Sequence, residues 1–393
     1  MVEKSYRTTD PGKQKVIAYV TDGIVPSIAS SMLGYAAEYA KEKHSCIVQF
    51  ISYKPPFDPV VVKGYDGIIA DISHRDSLDS ILATGLPVVT TSIMDVPGNY
   101  RTVDFSPELS GKMAAEWFLR HRFTSFAYCS AYGTAFYERL GAAFAETVGK
   151  AGFGCVTCDP EAMNVASMQA KANSVPEYLD EWIRTLPPRT AVFCMHDLRA
   201  MRVIESCLRL GRAVPDDIAV MGLFNDVLIC TSAPTAITSI DPGIRRQMYT
   251  ALQMLEEMID DPEAAKKKKT TLIPPLGVVE RESTNVYPVD PPWLAKALML
   301  IDERIGQRVS VADLADATGV SQTSLQLAFN KSFGISANKY IMSVKMREAK
   351  RLLDCGEYSV KELAARTGFS TPSYFTRAYT NYYGHSPTTD RPA

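Results

Sequence analysis

Nowhere in the 393 residues do about eighteen apolar residues run together, so no membrane-spanning helix is expected. The opening stretch, MVEKSYRTTD, has no apolar segment behind its charges; no export signal is read, and a cytoplasmic location is expected. Histidine is scarce, and the five present (His44, His74, His121, His196 and His385) show no ligand spacing. Cys155-x-x-Cys158 has no second CxxC or histidine pair to complete a zinc set. The eight cysteines are scattered, mostly within apolar runs, which reads as reduced, buried thiols. No GxGxxG, Walker A, GxSxG or HExxH segment occurs, and no defensible acid/base pair stands out. These absences argue against an enzyme, a metal site and a bound cofactor.

What is present describes a globular protein long enough for two or three domains, 46% hydrophobic and 22% charged. The net charge of −2 hides an asymmetry. From Trp293 onward there are 13 Lys/Arg against 9 Asp/Glu, whereas the preceding body carries 29 against 35. A basic end on an acidic body suits a nucleic-acid-binding module attached to something else.

Residues 14–286 alternate short apolar runs with amphipathic stretches, the pattern of βαβ units. Strands are expected at Lys15–Val20, Cys46–Ile51, Gly67–Asp71, Pro87–Thr91, Ser125–Cys129, Ala191–Met195 and Ile218–Met221. Helices are expected at Ser27–Lys41, Pro107–Arg120, Ala135–Lys150, Val175–Thr185 and Asp197–Leu210. Continuously apolar strands suit parallel sheets covered on both faces, and so many units imply two doubly wound α/β lobes. The expected division puts lobe 1 at about 14–121 and 243–265 and lobe 2 at about 122–242 and 270–286. Tyr287-Pro-Val-Asp-Pro-Pro292 reads as a stiff, non-helical linker to an all-α domain over 293–393. The run Lys266–Lys269 reads as a solvated loop.

An internal repeat dominates the last hundred residues. Val311, Leu314, Ala315 and Thr318, followed by Gly319-Val320-Ser321, recur as Val360, Leu363, Ala364 and Thr367 with Gly368-Phe369-Ser370. After one inserted residue the register continues, Leu325 matching Phe375, Phe329 matching Tyr379 and Phe333 matching Tyr383. Each unit reads as a short helix, a glycine turn, a capped second helix and one buried face: a helix-turn-helix. Ser321 and Ser370 read as caps, and Tyr374 and Phe375 as core. Met342, Met346, Ala349 and Leu353 mark a connecting helix, with Lys339, Lys345, Arg347, Lys350 and Arg351 on its other sides. Such a spacer would hold two recognition helices about 34 Å apart, one turn of duplex DNA.

The stretches Leu314-Ala-Asp-Ala-Thr-Gly-Val-Ser321, Glu348-Ala-Lys-Arg-Leu-Leu353, Leu363-Ala-Ala-Arg-Thr-Gly-Phe-Ser370 and Ser373-Tyr-Phe-Thr-Arg377 resemble the DNA-binding domain of the AraC/XylS family. The resemblance implies binding of double-stranded DNA. It gives base-edge contacts to Gln322, Thr323 and Gln326 on the first recognition helix. On the second they fall to Thr371, Pro372, Ser373 and Arg377. Two departures stand out: Leu327 occupies the position equivalent to Arg377, and Asp390 replaces a family-typical tyrosine.

The body resembles the type I periplasmic-binding-protein-like sensor of LacI/GalR regulators. The carrying stretches are Tyr65-Asp-Gly-Ile-Ile-Ala-Asp71, Gly85-Leu-Pro-Val-Val89, Val214-Pro-Asp-Asp-Ile-Ala-Val-Met-Gly222 and Val278-Val-Glu-Arg-Glu-Ser-Thr284. Among fused proteins the chain is most similar to D-xylose-responsive regulators that join such a sensor to an AraC-type domain. No LacI-type N-terminal DNA-binding helices are read, so DNA binding is expected to rest on the repeat. The resemblance implies a small sugar effector held by Asp104, Arg139, Asp197 and Asn225, with Phe224 where an acidic residue is frequent. It further implies a homodimer, and RNA polymerase as a partner if the protein activates. Asp104 and Asp197 also admit a plain role as residues at strand–helix junctions. A body that has lost its ligand and serves as a dimerisation or partner module is the alternative.

Overall fold

Strands that are apolar at every position need cover on both faces, and two six-stranded sheets meet that need. The computed structural model describes residues 14–22, 26–72, 75–92, 98–130, 135–158, 177–261, 263, 269–354 and 358–390. The chain runs β1 (Lys15–Thr21), α1 (Pro26–Lys43), β2 (Cys46–Ser52), β3 (Gly67–Asp71), α2 (Arg75–Leu82), β4 (Val88–Thr90), β5 (Arg101–Phe105), α3 (Pro107–Arg120), β6 (Ser125–Cys129), α4 (Ala135–Lys150) and β7 (Cys155–Cys158). It continues through α5 (Glu177–Thr185), β8 (Thr190–Cys194), α6 (Asp197–Arg209), β9 (Ile218–Leu223), α7 (Val227–Ser232), β10 (Thr238–Asp241), α8 (Ile244–Asp260), β11 (Lys269–Ile273) and β12 (Gly277–Val279).

The first sheet has the order β11-β5-β4-β3-β1-β2 and the second β12-β10-β9-β8-β6-β7. All pairings are parallel except β10 with β12. Strands β5, β8 and β9 are buried at every residue; β8 and β9 are largely apolar, whereas β5 also buries Arg101, Thr102 and Asp104. Parallel order sends the C-terminal ends of all these strands to one edge of each sheet, where a doubly wound fold places its ligands.

Two contacts move the lobe boundaries from those expected. α3 packs on α4, and Gly111 makes the approach possible: a Cβ there would lie 2.3 Å from the Leu140 carbonyl oxygen. The first crossover between lobes therefore precedes Pro107 and does not follow residue 121. β11 pairs with β5, Lys269 opposite Arg101, so Lys269–Ile273 belongs to the first lobe. Lys269 thus opens a strand, while residues 266–268 lie outside those described. Residues 175–176 of the expected fifth helix lie outside them too. β10 and β12, short and without alternation, were not anticipated. Cys155 and Cys158 stand three apart on strand β7 and so point to opposite faces, which suits packing and not chelation.

Met1–Arg120 with Thr124–Thr284 forms one unit, and His121–Phe123 with Asn285–Ala393 the other. The second unit holds α9 (Pro292–Glu303), α10 (Val311–Thr318), α11 (Gln322–Phe333), α12 (Ala337–Asp354), α13 (Val360–Arg366) and α14 (Pro372–Tyr383). Matched capping boxes, Ser310 with Asp313 and Ser359 with Glu362, start α10 and α13. Left-handed glycines Gly334 and Gly384 end α11 and α14. The proline segment is not a free linker. Tyr287 is buried beside Leu294, Leu298 and Ile301, its hydroxyl bonds Asp302, and Pro292 occupies the first turn of α9, where its missing N–H costs nothing.

Gly111→Ala should overpack the α3–α4 contact and cost about 1–3 kcal/mol. Thermal denaturation of the full chain should show a lower first transition, and an unchanged melting curve would count against this packing.

Candidate functional site

The two recognition helices carry the same pattern of exposure at an offset of fifty residues. Leu325 and Phe329 on α11 are buried, as are Phe375 and Tyr379 on α14. Gln322 and Thr323 are exposed and Gln326 half-buried; Thr371, Pro372, Ser373 and Arg377 are exposed. Ser321 caps α11, its Oγ accepting the Ser324 N–H at 3.0 Å. The matching cap of α14 is Thr371, whose Oγ1 accepts the Tyr374 N–H at 3.2 Å, and not Ser370. The single inserted residue shifts the cap by one, so Thr371 has a structural duty the sequence assigned elsewhere. The same register places half-buried Thr376 opposite Gln326, a candidate reader the sequence reading missed. Phe375 is core as expected; Tyr374 is not, being 44% exposed with its ring 5.4 Å from Phe369. Leu327, at the position equivalent to Arg377, is 64% exposed.

A groove of about 640 Å³ runs between α12 and α14. Its polar lining comes from Lys339, Ser343, Tyr374, Arg377, Asn381 and Tyr382, with no acidic residue among its walls. Asn381 and Tyr382 carried no signal in the motif, because they lie just over one turn beyond Arg377, the last expected reading position. Three other cations of α12 are otherwise occupied. Lys345 is buried and donates to the Gln307 carbonyl at 2.7 Å and the Gly368 carbonyl at 3.2 Å, which removes it from the expected exposed set. Arg347 donates to Ser343 Oγ at 3.3 Å, and Lys350 pairs with Asp390 at 3.2 Å. The side chain of Arg351 lies outside those described. Asp390 also accepts the Tyr379 hydroxyl at 2.6 Å; that bond, with the pull of Lys350, holds its carboxyl below the usual range.

In the first unit, the candidate ligand residues cluster at strand ends. Asp104 lies near the end of β5, buried, with Oδ1 accepting the Phe105 N–H at 2.7 Å. Phe105 meets Phe224 edge-on at 5.9 Å. Phe224 and Asn225, directly after β9, adopt left-handed backbone with φ of 97° and 48°. Such strain in two consecutive non-glycine residues needs bracing. Asp197, three residues past the end of β8, supplies it: Oδ2 accepts the Asp226 N–H at 2.8 Å and Oδ1 accepts the Ser239 hydroxyl at 2.5 Å. Gly222 makes room, since a Cβ there would sit 2.1 Å from that carboxylate. Ser239 Oγ in turn accepts the Asn225 N–H, and Asn225 Oδ1 accepts from Arg281 at 2.8 Å. Arg139, on α4, donates to Glu108 on α3 at 2.6 Å. Asp197 is a first-turn residue of α6 and His196 its cap, accepting the Arg199 N–H through Nδ1; burial drives that imidazole down to about 4 and keeps it neutral.

Residues 23–25, 73–74, 93–97 and 131–134, which follow other strand ends, lie outside those described. One further carboxylate on this edge escaped the sequence reading. Asp71, at the end of β3, accepts hydroxyls from Tyr19 at 2.9 Å and Thr91 at 3.0 Å, and burial pushes its carboxyl up.

A periplasmic binding protein-like domain is matched over residues 115–284, and a helix-turn-helix domain over 314–392. The chain is 28% identical over 209 residues to the xylose operon regulatory protein of Escherichia coli (strain K12), a match spanning 53% of each chain, so about half the length of that relative. It is 26% identical to the protein of the same name from Haemophilus influenzae, across 82% of this chain and 84% of that one. A solved xylose-binding transcription activator shares the fold with a TM-score of 0.56 at 21% identity, over 97% of this chain and 98% of that one. A ribose-bound LacI family regulator from Enterococcus faecium does so with 0.57 at 16% identity, over 70% of this chain and all of that one. The chain thus carries a two-lobed periplasmic-binding-protein-like α/β domain and a helical helix-turn-helix domain.

Burial pushes the Asp197 carboxyl up to about 7, against the opposing hydrogen bonds from Ser239 and Asp226. The unfolded chain titrates this group near 3.9, so the stability it contributes is full below about pH 4 and is lost as pH rises through about 7. In urea unfolding between those limits the native protein should lose stability relative to Asp197→Asn. Parallel pH profiles would count against a buried, raised carboxyl.

Proposed function

We propose that this chain is a sequence-specific DNA-binding transcription regulator controlled by a small sugar, a pentose such as D-xylose first among candidates, bound between the two lobes of the sensor. One observation carries the DNA half: α11 and α14 present equivalent polar faces on separately buried cores, with an acid-free cationic groove beside the second. Arg377 suits bidentate binding to guanine, and exposed Leu327 suits contact with a thymine methyl, so the two helices would read different base chemistry. The relatives named for xylose operons support the sugar half.

In the sensor, Asp104 and Arg139 would hold sugar hydroxyls, Phe224 would offer an aromatic face, and Asp197 and Asn225 would shape the strand-end turn beside it. Closure of the lobes is driven only by the sugar's higher affinity for the closed state. The protein would act in the cytoplasm as a homodimer, with RNA polymerase as a further partner if it activates. An exposed apolar cluster supports the dimer: Val227 (61%), Leu228 (71%) and Leu276 (51%) share a groove with Ile28 and Tyr35. The inward hydrogen bonds of Asp197 and Asn225 favour a second reading, a body without a ligand that serves as a dimerisation or partner module.

Thermal-shift measurements with pentoses and hexoses separate the two. A sensor should rise by roughly 5–10 °C at about a hundredfold excess over Kd with one sugar class, and Arg139→Ala should abolish the rise. A flat response to every sugar supports the second reading. On DNA, Arg377→Ala should cost about 1–3 kcal/mol at one base position and relax preference there. Selection of bound sequences from a random pool checks this, and an unchanged preference removes Arg377 from the reading set.

A further inference from the structure

The second unit has two hydrophobic cores and one helix that serves both. α12 gives Ala337, Tyr340, Ile341 and Val344 to the core that supports α11. It gives Met346, Ala349, Leu352 and Leu353 to the core that supports α14. Lys345 falls between Val344 and Met346, at the point where one core ends and the next begins.

A helix crossing two cores does not by itself fix one core against the other, since helices bend and cores repack. A second junction is needed, and it lies above Lys345. The segment Gly306-Gln307, ahead of α10, meets the Arg366–Gly368 turn, which delivers the chain to α14. Both sides are glycines pressed against a carbonyl. A Cβ on Gly368 would lie 2.3 Å from the Gln307 oxygen, and one on Gly306 would lie 3.1 Å from the Arg366 oxygen. Gly368 also has a φ of +67°, so two separate constraints call for glycine there.

This close approach leaves the Gln307 and Gly368 carbonyl oxygens converging, and like dipoles repel. Lys345 Nζ donates to both, at 2.7 Å and 3.2 Å, and sits 5.5 Å from the centre of the Phe369 ring. A buried ammonium is costly unless partnered, and here its partners belong to different helix-turn-helix units. The cation therefore turns a repulsive junction into a clasp.

We infer that Lys345 is a positioning residue that fixes the phase between the two recognition helices, so that the protein accepts its two DNA half-sites at one spacing only. This rests on the DNA-binding reading above. Lys345 touches no base in this scheme; it acts by holding the Gly368 turn, and so the start of α14, against the segment that leads into α10 and α11.

The test uses the full chain and two duplexes, one with the half-sites at the selected spacing and one with about five base pairs inserted, roughly half a helical turn. The native protein should bind the second on the order of 100-fold more weakly, the avidity lost when linked modules cannot engage together. Lys345→Met keeps the apolar stem without the charge; it should discriminate less than about tenfold while binding an isolated half-site as before. Lys345→Arg, which retains several donors, should restore discrimination, a rescue that mere packing volume would not give. Should Lys345→Met lose its helical circular dichroism, Gly306→Ala opens the same junction gently and should show the same loss of discrimination. Discrimination as in the native protein by either folded variant overturns the inference. Failure of the native protein to bind either duplex overturns the DNA-binding reading itself, and the inference with it.

Discussion

A parallel strand buried on both faces has only its ends to offer. That constraint governs the first unit, because β5, β8 and β9 are covered along their whole length, and chemistry is left to the residues that follow them. Asp104, Asp197, Phe224 and Asn225 are all found at such ends. The turn after β9 pays for its position with left-handed backbone at two bulky residues, and the carboxylate after β8 holds it in place. Two neighbouring strand ends are thus locked to each other, and a change at Gly222, Asp197 or Ser239 disturbs the same turn.

The second unit solves the opposite problem. Helices of twelve residues such as α11 and α14 bury one stripe and leave the rest exposed, so recognition surface is plentiful and rigidity is scarce. Rigidity comes from caps, left-handed glycines and polar ties at element ends. Tyr379 to Asp390 and Lys350 to Asp390 anchor the chain's last described turn to both α14 and α12. Asp390 stands where the AraC/XylS pattern that the chain resembles has tyrosine, and it has its own set of partners.

Much of this was legible in the sequence because periodicity encodes burial. The βαβ alternation, the 3.6-residue spacing of the repeat and the fifty-residue register all appear in the structure with bounds within one or two residues for most elements. The short strands β10 and β12 were not legible in the sequence. Nor were contacts between distant segments. That Lys345 is buried, that Tyr287 is core and that Thr371 caps α14 each depends on what a remote part of the chain brings near, or on a one-residue slip that composition does not reveal. Charge alone suggested that Lys345 faces solvent; the carbonyls of Gln307 and Gly368 made the interior habitable for it.

The separation of the two helical cores has a consequence for descent. Leu325 and Phe329 secure one recognition helix, Phe375 and Tyr379 the other, and neither pair contributes to its neighbour's packing. Substitutions on one polar face can therefore accumulate without unsettling the other. On the DNA-binding reading proposed above, one half of the bound site is free to diverge while the other half, and the protein surface that matches it, stays as inherited.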